Sequence, residues 1–119
     1  SVMQGADRLF LACLAMGCDG TVSGVSNVYP EPFVALYDAF RNGDLAMARQ
    51  WQRWANLLCV ALRCGSNMSY FKKGLDRRGV AGGHMRRPQL DLSQREIDSL
   101  YRQLDEIEDK LPPGALKAV

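Results

Sequence analysis

The sequence predicts an α/β fold that is mostly helical by residue count. Two short β-prone segments, Ser1 to Gln4 and Thr21 to Ser23, flank an apolar stretch over 7–16 that has the pattern of a buried helix. After Pro32 the apolar residues recur only with helical spacing. The 119 residues, of which 47% are hydrophobic and 24% are charged, have the composition of one soluble domain with one core.

The strand–helix–strand unit is bounded by glycines. Gly5 ends the first strand, Asp7 is expected to begin the helix as an N-cap or first-turn acid, and Gly17 ends that helix. Two strands joined by a crossover helix belong in a parallel sheet with both faces covered. Because two short strands do not form a stable sheet alone, we expect the first third of the chain to be part of a larger sheet.

Two further helices are predicted directly after this unit. The first begins with Phe33 and closes at Asn42-Gly43, and Asp44 caps the second. This second helix is apolar on two sides, so it is expected to be packed between neighbours and to run to Gly65. Its two tryptophans are expected to belong to the core or to a subunit interface rather than to a ligand pocket.

The last two helices are predicted over 66–78 and from Ser93 to about Lys110. Gly79 ends the first of them. Ser93 and Glu96 form a capping box, which is the clearest local helix signal in the chain.

The four cysteines occur as two pairs with four intervening residues, Cys13 with Cys18 and Cys59 with Cys64. Compact zinc sites and redox motifs use two intervening residues. Since positions five apart on a helix point to different faces, buried free thiols are expected, with a redox or zinc-binding protein as an alternative. His84, the only histidine, lies in a glycine-rich stretch and is expected to be a solvated loop residue.

Charge and hydropathy argue against several functional classes. A formal net charge of +2 gives no reason to expect binding to nucleic acid or to an anionic membrane surface. The longest apolar runs, 9–16 and 55–62, are about half of the ~20 residues that a bilayer crossing requires. Residues 1–16 lack the basic leader of a secretory signal. We therefore expect no nucleic-acid partner, no membrane partner and a cytoplasmic location.

Several short motifs follow one another in a fixed order. They are Gly5-Ala6-Asp7, the run from Gly17 to Asn27, Pro30, Gly43-Asp44, Lys72 seven residues before Gly79, and Arg86-Arg87-Pro88. In order and spacing they resemble the C-terminal part of the dihydrodipicolinate synthase and N-acetylneuraminate lyase family. That family consists of pyruvate-dependent class I aldolases on a (β/α)8 barrel with a helical C-terminal extension. The resemblance runs from Gly5 to about Leu104.

The resemblance implies a division of the chain into two parts. Residues 1–43 would be the last two β/α units of a TIM barrel, and 44–119 would be a three-helix C-terminal extension. Strands one to six of the barrel are not in the sequence. The loops after the two strands would lie at the carboxyl-terminal mouth, where barrel enzymes have their active sites.

The resemblance also implies that this chain supplies a substrate-binding wall and no catalytic residue, metal or cofactor. The Schiff-base lysine and the proton-shuttling tyrosine would lie in the missing N-terminal part. Asp7 matches a position that binds substrate hydroxyls in the sialic-acid branch, whereas Arg8 stands where that branch has an acid. Asn27 is expected to cap its turn rather than to contact substrate. The expected substrate-binding residues are Gly5, Asp7, Val22, Ser23 and Gly24.

The implied parent protein is a carbon–carbon lyase that acts on pyruvate or a related 2-keto acid and an aldehyde. It would resemble either dihydrodipicolinate synthase or a 2-keto-3-deoxy sugar acid aldolase. Its partners would be the N-terminal part of the same barrel and further copies in a homotetramer. The alternative is a noncatalytic helical association module derived from such an enzyme.

We expect structural rather than catalytic roles for three basic residues, Lys72, Lys73 and Arg86. Lys72 matches a lysine of the family's helical extension, and it and Lys73 are expected to be exposed helical cations, so the chain alone is expected to be inactive. Arg86 is expected to bridge carbonyls or a carboxylate in the segment between the last two helices.

Overall fold

A computed structural model describes residues 1–116. Within that range the chain forms two strands, five α-helices and three short 3-10 helices. The strands are β1 (Met3–Gln4) and β2 (Gly20–Thr21), and the α-helices are α1 (Phe10–Ala15), α2 (Glu31–Arg41), α3 (Leu45–Ala61), α4 (Met68–Arg77) and α5 (Gln94–Lys110). The 3-10 helices cover Asp7–Leu9, Val25–Asn27 and Arg63–Gly65.

The two strands form a parallel pair. Met3 lies opposite Gly20, and Gln4 lies opposite Thr21. This confirms the predicted parallel arrangement, but each strand has two residues and β2 begins at Gly20 rather than at the predicted Thr21. Among the described residues neither strand pairs with a third strand, so the sheet consists of this one short pair.

The predicted helix over 7–16 is shorter than expected. Asp7–Leu9 is a 3-10 turn, and α1 begins only at Phe10. Leu9, with φ of −115°, lies outside helical geometry and separates the two pieces. Asp7 is the acid of the first 3-10 turn, and no side chain caps either start. Because no side chain caps the first turn, the regular α-helix begins at Phe10 and does not include Asp7.

The end of α1 is a Schellman motif. Gly17 has φ of 102° and donates its N–H to the carbonyl oxygen of Leu14 at 3.0 Å. The N–H of Cys18 donates to the carbonyl oxygen of Cys13 at 2.9 Å. These two bonds satisfy carbonyls at the helix end and turn the chain back toward β2.

Helix α3 begins where the sequence predicts, whereas α2 begins two residues before the predicted Phe33. α2 spans Glu31–Arg41, and Asp44 caps α3 by accepting a hydrogen bond from the N–H of Met47 at 2.9 Å. The prediction that α3 runs to Gly65 is wrong, because the helix ends at Ala61. Arg63 and Cys64 have positive φ angles of 59° and 50°, which no α-helix contains.

Helices α4 and α5 also have side-chain caps. Asn67 caps α4, its side-chain oxygen accepting from the N–H of Ser69 at 3.0 Å, so the helix begins later than the predicted residue 66. The predicted capping box of α5 is confirmed. Ser93 accepts from the N–H of Glu96 at 3.3 Å, and the Glu96 carboxylate accepts from the N–H of Ser93 at 2.8 Å.

Helix α3 lies at the centre of the core. It contacts α1, α2 and α5, which confirms the prediction that it is packed between neighbours. Trp51 is half-buried against this core. Within residues 1–116 no helix has both the length and the apolarity of a membrane-spanning segment. The wholly buried leucines are Leu36, Leu58, Leu62 and Leu104, with Leu100 only 1% exposed.

A buried polar cluster ties the loop after β2 to the helices. Arg78 forms a bidentate ion pair with Glu31, at 2.5 and 2.9 Å, and donates to the carbonyl oxygen of Val28 at 2.7 Å. Its guanidinium also lies 4.8 Å from the ring centroid of Tyr29. The Tyr29 hydroxyl donates to Glu108 at 2.7 Å. Burial, followed by this hydrogen bond, raises the pKa of Tyr29 well above its ordinary value.

Candidate functional site

The loops that follow β1 and β2 begin side by side. The hydroxyl of Thr21 accepts a hydrogen bond from the side-chain amide of Gln4 at 2.5 Å, and Val22 N–H donates to the carbonyl oxygen of Gln4 at 2.8 Å. Because the strands are parallel, both loops leave from the same edge of the pair. The predicted substrate-binding residues are therefore brought together: Gly5 and Asp7 follow β1, and Val22, Ser23 and Gly24 follow β2.

Asp7 spans the space between these two loops. One carboxylate oxygen, Oδ2, accepts a hydrogen bond from the N–H of Val25 at 3.2 Å. The other, Oδ1, is buried and has no hydrogen-bond partner among the described residues. A buried carboxylate oxygen without a donor is unusual, since buried polar atoms are nearly always paired. The side chain thus holds one loop against the other and leaves one acceptor unused.

Gln52 of α3 supports Asp7 from behind. Its amide nitrogen donates to the backbone carbonyl of Asp7 at 3.1 Å and to the side chain of Asn56 at 2.9 Å. Its amide oxygen accepts from the N–H of Leu11 at 2.8 Å. The sequence reasoning did not identify Gln52. No local signal singles out Gln52, because the polar residues Gln50 and Arg53 lie close to it in the sequence.

The loop after β2 is organised by its own side chains. Ser23 Oγ accepts from the N–H of Ser26 at 2.9 Å. The side-chain amide of Asn27 donates to the carbonyls of Ser23 and Gly24 at 3.0 and 3.2 Å. The prediction that Asn27 caps its turn is confirmed. Val22, which is 70% exposed, makes no such contact with its side chain and faces outward.

The two glycines of the candidate site have different surroundings. A Cβ on Gly24 would lie 2.8 Å from Cε2 of Phe71, so α4 packs directly against this loop. A Cβ on Gly5 would lie 3.8 Å from the carbonyl oxygen of Val22, which is an ordinary contact. Gly24 is therefore required for packing, whereas within the described residues nothing crowds Gly5.

The two lysines of α4 are half-buried and engaged in local contacts, so the expectation that they are exposed helical cations is wrong. Lys72 Nζ donates to the carbonyl oxygen of Gly82 at 2.8 Å, and Lys73 Nζ lies 2.8 Å from a carboxylate oxygen of Asp76. The hydrogen bond to Asp76 raises the pKa of Lys73 above its ordinary value. A Schiff-base lysine requires the opposite shift, because only the neutral amine attacks a carbonyl.

The cysteines are free, but only Cys59 is buried. Cys13 and Cys18 are half-buried and Cys64 is exposed, so the expectation of four buried thiols is wrong for three of them. Each of the three lies in or beside a helix end rather than within an apolar stripe. His84 is exposed, as predicted, and its Nδ1 lies 2.8 Å from Asp91.

Arg86 does not bridge the segment between α4 and α5. It is exposed, and its side chain has no hydrogen bond or ion pair with any residue in 1–116, so the expected bridging role is wrong. Carboxylates hold this segment instead. Asp76 accepts from the N–H of Gly82 at 2.6 Å, and Asp91 accepts from the N–H of Met85 at 2.7 Å.

A cavity adjoins the end of the loop after β2, where Asn27 and Val28 line it. It has a volume of about 650 Å³ between α2, the end of α4 and residues 114–115. None of the predicted substrate-binding residues lines it, and its charged pair, Glu31 with Arg78, is already engaged. Among the described residues no three His, Cys, Asp or Glu side chains are grouped as a metal site. The strand-end loops with Asp7 remain the candidate site.

Comparisons with known proteins identify relatives along nearly the whole chain. Residues 1–107 match the model of the Dihydrodipicolinate synthetase family. A 4-hydroxy-tetrahydrodipicolinate synthase of Methanoculleus marisnigri is 35% identical over 104 residues, which are 87% of this chain and 36% of the relative. The chain spans about a third of the length of the curated relatives it matches.

Solved structures superpose on the same part of the chain. The dihydrodipicolinate synthase of Thermotoga maritima matches with a TM-score of 0.77 and 30% identity, over 87% of this chain and 35% of that one. A Sulfolobus 2-keto-3-deoxygluconate aldolase in complex with D-KDPG matches with a TM-score of 0.84 and 25% identity, over 92% and 38%. In each case the chain corresponds to a minor part of a larger molecule.

Proposed function

This chain belongs to the dihydrodipicolinate synthetase family, and we propose that it forms the carboxy-terminal part of a Schiff-base-forming carbon–carbon lyase. In this proposal residues 1–43 are the last two β/α units of a TIM barrel, and 44–119 are its three-helix extension. The coverage of about a third of each relative supports this assignment. The two isolated strands support it as well, since a pair of this length needs further strands beside it.

The proposed substrates are pyruvate or a related 2-keto acid together with an aldehyde. The observation that carries this proposal is the convergence of two loops at the carboxyl ends of parallel strands, with Asp7 bonded across them to Val25. The unused Oδ1 of Asp7 is an acceptor for a substrate hydroxyl. The proposed wall of the pocket consists of Gly5, Asp7, Val22, Ser23 and Gly24.

The catalytic lysine and tyrosine of the proposed enzyme lie outside this chain. The raised pKa of Lys73 beside Asp76 keeps its amine protonated, and the amine of Lys72 is engaged with a backbone carbonyl. The chain alone is therefore inactive in our proposal, and its role is to complete the pocket and to provide helices for a cytoplasmic homotetramer.

The first experiment traps the Schiff base. Pyruvate and borohydride are added to the 119-residue chain and to the complete enzyme, and both are weighed by mass spectrometry. Reduction of the carbon–nitrogen double bond fixes the adduct on the lysine that formed it. We expect an adduct in the complete enzyme on a lysine outside residues 1–119 and none in the chain alone. An adduct on Lys72 or Lys73 contradicts the assignment.

A second experiment tests Asp7 in the complete enzyme. Asp7→Ala should change the preference among hydroxylated and non-hydroxylated aldehydes and leave trapping of pyruvate intact, because a site built to bond hydroxyls rejects analogues that lack them. Asp19→Ala is the matched control, since Asp19 accepts a backbone hydrogen bond from Val2 at the opposite end of the strands, at 2.6 Å. If both variants show the same preference among aldehydes, Asp7 does not bind the substrate.

The alternative function is a noncatalytic helical association module. The observation that favours it is the core of α3 and α5, where Leu58 and Leu104 are wholly buried without any contribution from barrel strands one to six. The trapping experiment separates the two proposals. If the chain is produced in cells without any barrel partner and never co-purifies with a pyruvate-trapping polypeptide, the association module is the better account.

A further inference from the structure

A second cavity lies between α4 and the segment that joins α4 to α5. Its volume is about 550 Å³, which is within the range of ~300–1,000 Å³ that is usual for small-molecule pockets. None of the proposed substrate-binding residues lines it. The cavity is therefore not part of the proposed substrate pocket. Its apolar lining consists of Met68, Phe71, Leu75, Met85 and Pro88.

The charged residues that line this cavity are all basic. Lys72, Arg86 and Arg87 line it, whereas no Asp or Glu does. Both arginines are exposed, and their side chains have no hydrogen bond or ion pair with any other residue in 1–116. A cleft lined by charges of one sign concentrates ions of the opposite sign. The cavity is therefore suited to an anion.

The carboxylates nearest to the cavity are engaged with other groups. Asp76 forms an ion pair with Lys73 at 2.8 Å and accepts a hydrogen bond from the N–H of Gly82 at 2.6 Å. Asp91 lies 2.8 Å from Nδ1 of His84. These two acids hold the segment between α4 and α5 in place and pair with other basic side chains. Neither of them forms an ion pair with the two arginines of the cavity.

Hydrogen bonds from α4 fix the segment on both sides of the two arginines. Before them, Lys72 Nζ donates to the carbonyl oxygen of Gly82 at 2.8 Å. After them, the buried hydroxyl of Ser69 donates to the carbonyl oxygen of Leu90 at 2.7 Å. A Cβ on Gly82 would clash with the backbone of Lys72, so the segment lies directly against the helix. The cavity is thus largely formed before any ligand arrives, which lowers the cost of binding.

We propose that this cavity binds a phosphate monoester that carries an aromatic group. The guanidinium groups of Arg86 and Arg87 donate to the phosphate oxygens, and the half-buried Lys72 contributes a third positive charge. A phosphate monoester fits these cations better than a carboxylate does, because it carries nearly two negative charges and three acceptor oxygens.

The aromatic part of the ligand is assigned from the apolar lining. The ring of Phe71 offers an aromatic contact, and the thioethers of Met68 and Met85 pack favourably against aromatic rings. A Cβ on Gly24 would lie 2.8 Å from the same Phe71 ring, so the ligand contacts a residue that packs against the loop after β2. The binding site is defined by these contacts and does not rest on the proposed enzymatic function.

The test uses phenyl phosphate as the probe and the methionines as reporters. The 119-residue chain is labelled with ¹³C in its methionine methyl groups and titrated with phenyl phosphate in an NMR experiment. An aromatic ring shifts the signals of the methyl groups that it contacts. We expect the signals of Met68 and Met85, which line the cavity, to move. The signals of Met3, Met16 and Met47, which do not line it, should stay in place.

Three further probes separate the two parts of the ligand. Inorganic phosphate lacks the ring, phenol lacks the charge, and benzoate has a carboxylate in place of the phosphate. We expect phenyl phosphate to bind about tenfold more tightly than each of them, because only it uses both the arginines and the apolar lining. If inorganic phosphate binds as tightly, the apolar lining is not used and the proposal is wrong. If benzoate does, the assignment to a phosphate is wrong.

Matched variants test the two arginines. The double substitution Arg86→Ala/Arg87→Ala should weaken phenyl phosphate binding by about tenfold or more. Arg49→Ala/Arg53→Ala removes the same charge from exposed residues of α3 that do not line the cavity, and it should weaken binding by less than about twofold. All four arginines are exposed, so neither variant should change the melting temperature, which is measured alongside. Equal weakening in both variants, or unshifted signals of Met68 and Met85, would overturn the proposal.

Discussion

The strand-bearing segment, residues 1–29, and the helical segment, residues 31–111, obtain their order in different ways. The helical segment has side-chain caps at three of its four helix starts and a leucine core between α3 and α5. The strand-bearing segment has two-residue strands and an uncapped six-residue helix. Its apolar residues Val2, Met3 and Val22 are more than half exposed. The two segments share one core, to which Phe10, Val25 and Tyr29 contribute, but only the strand-bearing segment leaves its strands open and their apolar residues exposed.

The largest expected effect concerns association through the strand-bearing segment. We expect the purified chain to self-associate, because open strand edges and exposed apolar side chains pair with other chains. Replacing Met3 and Val22 by Lys should raise the monomer fraction in sedimentation velocity. Replacing Leu45 and Met47 of α3, which are apolar and 47% exposed, should not. If the unsubstituted chain is already a monodisperse monomer, the open strands do not drive association and the proposed difference between the two segments is wrong.

The second prediction compares truncations in the two segments at fixed protein concentration. Leu104→Ala should lower the free energy of unfolding by about 3 kcal/mol, because Leu104 is wholly buried and its loss leaves a cavity. Val22→Ala should change it by less than about 0.5 kcal/mol, since Val22 is 70% exposed. Urea denaturation measures both. Equal losses would mean that Val22 is buried in an assembly, which the concentration dependence of the urea midpoint would then reveal.

The third prediction tests the contact that joins the segments. Gly24→Ala should lower the free energy of unfolding by about 2 kcal/mol, because the new Cβ would lie 2.8 Å from Phe71. Gly5→Ala is the matched control and should change it by less than about 0.5 kcal/mol, since its Cβ meets only an ordinary contact. A Phe71→Leu background should relieve the Gly24→Ala loss. If relief is absent, the loop and α4 are not in contact as described.

Local signals in the sequence account for what was predicted correctly. Asp44 and the Ser93–Glu96 box each lie within four residues of the helix start they define, so α3 and α5 begin as expected. The contact of Gly24 with Phe71 joins residues 47 positions apart, and Gln52 reaches Asp7 over 45 positions. No local pattern encodes such pairs, so this part of the candidate site could not be predicted.

The cysteine pairs show a different limit of the sequence. Gly17 marks the end of α1 and could have indicated that Cys18 folds back on Cys13. At the end of α3 the corresponding residue is Arg63, which rarely adopts a left-handed conformation, so the sequence predicts a helix that continues to Gly65. The end of α1 could therefore be predicted from the sequence, whereas the end of α3 could not.

The fourth prediction concerns acid and applies to the helical segment alone. The pKa of Asp76 is lowered by its hydrogen bonds from Lys73 and Gly82, and that of Glu96 by the N–H of Ser93. A lowered folded-state pKa contributes stability that is full above the ordinary carboxyl value of about 4 and is lost as pH falls through the folded value. The urea midpoint should fall below about pH 4, and less so in Asp76→Asn. Glu96 is exposed and Asp76 is only partly buried, so the decrease is small.

The smallest effect is expected from Arg86, in the segment between α4 and α5. This segment is held by Asp76 on Gly82 and by Asp91 on Met85, and Arg86 contributes no side-chain contact among the described residues. Arg86→Ala should leave the melting temperature unchanged, within about 0.5 kcal/mol of stability, whereas Asp91→Ala should lower it because two bonds are lost at once. A marked loss in Arg86→Ala would mean that this exposed guanidinium binds a partner, either another copy of the chain or the rest of the barrel. Comparing the loss at low and high protein concentration distinguishes these two, since only association between chains depends on concentration.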